Sequence, residues 1–139
     1  MRRSFLFAAL LLPLAASAAS SCPEQFPEFV AQFERSETFQ RAHTRFPLPY
    51  SYVDGTAEPE PKNIRVMVNR GTVRKFPGIK FPSPTIQRTV PLERKTSTVA
   101  AGTEVIRFDK PDTDVYTIEF QFKKSGACWQ LIGVDNMSL

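Results

Sequence analysis

Tyr116-Thr117-Ile118-Glu119-Phe120-Gln121-Phe122-Lys123 alternates apolar and polar side chains. Successive side chains of a strand point to opposite faces, so a period of two predicts one buried and one wetted face. Lys124-Ser125-Gly126 supplies turn chemistry, and Cys128 to Val134 is apolar and aromatic enough to return as the hairpin partner. Upstream, Thr103 to Phe108 reads as a further strand, with Val105 and with it Ile106 expected toward a core. Ile64 to Val68 alternates in the same way, and Thr85 to Leu92 is expected to be extended. Residues 54–63 and 76–84 are rich in proline and turn formers and are expected to be loops.

The other end has a different period. Phe26, Phe29, Val30 and Phe33 recur at i, i+3, i+4 and i+7, one face of a helix expected from about Pro27 to Arg35. Ser36 followed by Glu37 reads as an N-cap with an acid in the first turn, opening a second short helix to about Ala42 with Phe39 as its anchor. Pro47 and Pro49 exclude further helix, so Arg45 to Val53 should be extended. Helices first and strands after argue for an α+β domain, with N-terminal helices packed on a curved antiparallel sheet.

Residues 1–18 have the form of a cleavable secretory signal. Met1-Arg2-Arg3 is basic, Phe5 to Leu14 is apolar except for Pro13, and Ala16-Ser17-Ala18 offers the small residues a signal peptidase needs. The apolar run of about ten residues is short of the roughly 20 that span a bilayer, so no transmembrane segment is expected. Residues 19–139 then form one domain, periplasmic or secreted. Ala19-Ser20-Ser21 lacks the large aliphatic residue that lipidation of Cys22 would want three positions upstream. An oxidising destination and a cysteine count of two predict a Cys22–Cys128 disulfide.

Two stretches carry a resemblance. Phe26-Pro27-Glu28-Phe29-Val30-Ala31-Gln32-Phe33, with Thr38-Phe39-Gln40-Arg41 and Arg45-Phe46-Pro47-Leu48, forms one; Tyr116 to Phe122 with Cys128-Trp129-Gln130-Leu131-Ile132 forms the other. Together they resemble uncharacterised, exported bacterial proteins with a nuclear-transport-factor-2-like (cystatin-like) fold. The resemblance implies a cone-shaped arrangement, helices packed into a strongly bent sheet around a pocket. It implies no activity and carries no functional residue, because the fold hosts enzymes, ligand binders and interaction modules alike.

No constellation of residues has catalytic or metal-binding form, and no cofactor is expected. His43 is the single histidine. No serine near it has a nucleophile-elbow context, and its place at a helix end suits capping. One histidine and two paired cysteines fall short of a zinc set. Asp109, Asp112 and Asp114 are spaced loosely like a calcium loop but lack its glycine turn and bidentate glutamate.

The charge pattern is the one functional lead. Lys62 to Lys95 holds nine basic residues against the single acid Glu93, and Arg65, Arg70, Arg74, Lys75 and Lys80 are the candidate anion-binding residues. Such a patch raises the local concentration of an anionic partner. For an exported chain that partner is an acidic protein or an anionic envelope component, with no nucleic acid expected. The function expected is therefore a small, exported, non-enzymatic binding or interaction module. The alternatives are an immunity-type inhibitor of a toxin, or an enzyme with an acid in the cone pocket.

Overall fold

A computed structural model describes residues 22–113 and 115–139; the predicted leader lies outside them, as does Asp114. Helix α1 (Phe26–Phe33) and helix α2 (Glu37–Ala42) come first, followed by strands β1 (Leu48–Asp54) and β2 (Lys62–Val68). Two 3-10 turns, Val73–Lys75 and Pro77–Ile79, lead to helix α3 (Pro84–Thr89). Strands β3 (Glu93–Ala100), β4 (Thr103–Asp109), β5 (Thr117–Ser125) and β6 (Cys128–Asn136) complete the chain.

The six strands form one curved sheet in the order β2-β1-β6-β5-β4-β3. It is mixed rather than antiparallel throughout. β1 pairs in parallel with β6, Tyr50 opposite Val134, while every other neighbouring pair is antiparallel. Register shifts at Gln121/Phe122 and Thr98/Ala100 add local bend to the sheet's natural twist.

Strict alternation sorts each rung to one face. Val66, Tyr50, Val134, Phe120, Ile106 and Thr96 follow one another across the sheet on the helix side. The next rung, Arg65, Ser51, Asp135, Glu119, Arg107 and Lys95, points to the other face. β4 therefore turns Ile106 and Phe108 inward and leaves Val105 half-buried on the outer side, correcting the phase expected from Val105.

α1 buries Phe29, Val30 and Phe33, the face its spacing predicts. Phe33 meets Phe122 and Phe81 edge-on at 5.2 and 5.5 Å, and Phe81 in turn meets Phe108 and Phe120. Full burial of a Phe is worth about 1.5–3 kcal/mol, with a further ~0.5–1.5 kcal/mol for such ring pairs. These rings bind helix to sheet. The segment expected to be extended from Thr85 is instead α3. Ser83 accepts a hydrogen bond from the Ile86 N–H at 3.3 Å, and Pro84 sits in the first turn, where its missing N–H costs nothing.

Candidate functional site

The interior on the helix side of the sheet is filled. Phe29, Phe33, Phe81, Phe108, Phe120 and Phe122 are all at most 1 % exposed. Thr103 is the single buried polar residue among the described residues, so no carboxylate there is placed as an interior acid. Outside the core, a shallow cleft of about 480 Å³ opens where α1 meets α2, bounded by Glu34, Glu37, Lys80, Phe81, Ile86 and Tyr116. Burial pushes the Tyr116 phenol up.

The basic run does not occupy one face. β2 and β3 are the two edges of the sheet, so Lys62 and Arg65 stand five strand spacings, about 24 Å along the curved sheet, from Arg94 and Lys95. Arg94 pairs with Glu34 at 3.2 Å, and Lys95 lies 3.7 Å from Asp109. Arg65 is on the outer face, away from the helices. The segment after β2 holds the rest. Arg70 lies over the Phe46 ring at 5.1 Å, a cation–π contact. Lys80 reaches Glu37 at 2.6 Å, and this hydrogen bond and charge, with Arg41 and Arg74 behind them, hold the Glu37 carboxyl below its usual value. Both partners of that pair are about two-thirds exposed, so solvent screens most of its attraction. Arg74 and Lys75 form no ion pair among the described residues.

Of the acids spaced like a calcium loop, Asp109 has other partners and Asp114 lies outside the described residues. Asp109 accepts from Arg107 Nε at 2.9 Å and from the Thr117 hydroxyl at 2.8 Å. Arg107 above all holds its carboxyl below the usual range. Asp112 is exposed in the loop between β4 and β5, with φ of 61°.

The predicted Cys22–Cys128 disulfide is present, and sequence reasoning missed only that His43 joins it. Cys22 and Cys128 are joined in a disulfide, their Cα atoms 5.5 Å apart, and His43 Nδ1 lies 3.2 Å from Cys128 Sγ. His43 does terminate α2 as expected, but its ring turns in against Phe39 and Phe29, at 4.1 and 5.7 Å. Burial pushes the imidazole down. The sequence distance from His43 to Cys128 hid this meeting. Its signal was Arg45-Phe46-Pro47, which ends the helix and lets residues 43–45 bond to Leu131.

The chain superposes on an NTF2-like protein from Bacteroides fragilis NCTC 9343 with a TM-score of 0.61 and 15 % identity, over 84 % of this chain and 48 % of that one. The fold is NTF2-like. The chain spans about half the length of that relative, and likeness at this identity carries the NTF2-like architecture without its chemistry. No family model and no curated protein matches the sequence. Among the described residues of this NTF2-like domain, no helix is long and apolar enough to cross a membrane.

Proposed function

We propose that this protein is an exported, non-enzymatic interaction module that engages an anionic partner through the segment following β2. Arg70, Arg74 and Lys75 make the contact, with Lys80 at its rim. The observation that carries the reading is a group of exposed cations on the segment after β2, beside an interior packed with phenylalanine rings that are at most 1 % exposed. Arg74 and Lys75, exposed and without ion-pair partners among the described residues, have charge to offer an incoming anion. Arg70 is pre-oriented by Phe46, which lowers the entropy lost on binding. The leader-like residues 1–18 and the Cys22–Cys128 bond are in keeping with an exported setting. An anionic envelope surface and an acidic protein would use the same cations.

The test is a salt titration of binding to phosphatidylglycerol vesicles and to polyglutamate, with zwitterionic vesicles as control. A surface cation near an anionic membrane is worth about 1 kcal/mol. The triple variant Arg70→Ala, Arg74→Ala, Lys75→Ala should therefore weaken vesicle binding on the order of a hundredfold. Unfolding free energy should shift by less than about 1 kcal/mol, because these side chains are exposed. Binding by the triple variant equal to the parent's, or binding insensitive to salt, would overturn the reading.

A further inference from the structure

Cys22, His43 and Cys128 come from the chain's N-terminal lead, the end of α2 and the start of β6, yet their ligand atoms all lie within 4.8 Å of one another. All three side chains are half-buried. A tetrahedral zinc with Zn–S of about 2.3 Å and Zn–N of about 2.0 Å sets its sulfurs about 3.8 Å apart and sulfur about 3.5 Å from nitrogen. The Cys128–His43 spacing of 3.2 Å is already close to that. The two sulfurs, now bonded to each other, would have to separate, and Cys22 Sγ, within 4.8 Å of the imidazole, would settle at about 3.5 Å from it.

The supports of this cluster do not depend on the disulfide. Trp129 donates its indole N–H to the Glu24 carbonyl at 2.9 Å, and Lys124 reaches the Glu24 carboxylate at 3.2 Å. Phe26 packs on Trp129 at 4.8 Å. These contacts hold the Cys22 segment against β6. On the other side the Leu131 N–H donates to the His43 carbonyl, and the Arg45 N–H donates to the Leu131 carbonyl, each at 2.9 Å. The imidazole is flanked by Phe29 and Phe39. None of these contacts runs through the sulfur–sulfur bond.

We propose that reduction of the Cys22–Cys128 bond converts this cluster into a zinc site with two thiolate ligands and one imidazole. A dithiol reductant supplies the two electrons and two protons. Its own sulfurs join in a disulfide as Cys22 and Cys128 become thiols. Zinc then displaces the two thiol protons, and His43 binds through Nδ1. Three protein ligands leave a fourth position for water or a partner's side chain. Two soft sulfurs and a nitrogen suit zinc far better than magnesium or calcium, which take oxygen.

Cobalt(II) is the probe. The purified protein is reduced with a phosphine, desalted without oxygen and titrated with Co2+. One equivalent should give intense tetrahedral d–d bands and a sulfur-to-cobalt charge-transfer band, both abolished by zinc, while the oxidised protein gives neither. His43→Ala should shift the bands and lower affinity at least about tenfold, since even supporting partners of a metal ligand cost that much. The pale octahedral spectrum of aqueous Co2+ in the reduced parent would overturn the site, as would a His43→Ala titration superimposable on the parent's. If reduction alone melts the fold, zinc should restore the native far-UV circular dichroism in the parent but not in Cys22→Ser. A reduced parent that stays unfolded with zinc would overturn the proposal equally.

Discussion

At the scale of single residues, Asp109 shows what the strands do to charge. Its carboxylate accepts from Arg107 and Thr117, with Lys95 3.7 Å away and Glu93 beside Lys95 on β3. The side chain is 17 % exposed, so solvent weakens the pair only in part. Arg107 holds the folded carboxyl below its unfolded value of about 3.9. The bond therefore stabilises fully above that pH and is lost as pH falls through the folded value. Asp109→Asn should flatten the acid limb of a stability–pH curve measured by urea unfolding, and an unchanged slope would dismiss the pairing. Phe33 makes the apolar counterpart. At 1 % exposure, against Phe29, Phe81 and Phe122, its truncation in Phe33→Ala should cost about 3–5 kcal/mol. Denaturant unfolding checks this, and a cost below ~1 kcal/mol would mean the neighbouring rings close the gap. Phe33 was legible from spacing alone. The pairing of Asp109 was not, because the rung Glu119–Arg107–Lys95 exists only once three strands are in register.

Among the elements, legibility followed the strength of the period. β5 and β6 emerged almost whole because each alternates and the turn between them is marked; Gly126 takes φ of 62°, where other residues are strained. β3 left no trace because all eight of its residues are exposed, so no apolar beat sets its phase. α3 was misread as extended because Ile86 and Val90 favour strands, while the decisive pair, Ser83 with Pro84, lay in what passed for loop. The parallel β1–β6 pairing joins residues 84 apart, beyond any local pattern. The capping serines give the check at this scale. Ser36 accepts from the Phe39 N–H at 3.2 Å and Ser83 from the Ile86 N–H at 3.3 Å. Replacing either with Ala should cost about 0.5–2 kcal/mol in thermal or urea unfolding. Neither helix has a fully buried residue, but Ser36→Ala should be the larger, since α2 packs half-buried Phe39 against the core while Ile86 of α3 is exposed. The reverse order would mean α2 is held by Phe39 without its cap.

For the whole molecule, the disulfide and the parallel pairing are one topological problem. β6, the last strand, lies inside the sheet between β1 and β5, so the sheet closes only when β1 and β6, 84 residues apart at Tyr50 and Val134, meet. Cys22 and Cys128, 106 residues apart, tie the segment before α1 to the start of β6. In the simple loop model such a cross-link removes about 4–5 kcal/mol of denatured-state entropy. A double variant, Cys22→Ala with Cys128→Ala, should therefore lose up to about that much in urea unfolding, with no change in the packed core. The kinetics carry the sharper consequence. With the bond in place, the path along the chain from Tyr50 to Val134 shortens from 84 residues to about 34, which lowers the closure cost by about 0.8 kcal/mol. If β1 docks on β6 in the folding transition state, the double variant should refold about fourfold more slowly than the oxidised parent in stopped-flow experiments. Equal refolding rates, with the whole loss of stability in faster unfolding, would place the β1–β6 contact after the barrier. The hairpins of β3 to β6 would then fold first, and the N-terminal helices and β1 would close over a sheet already made.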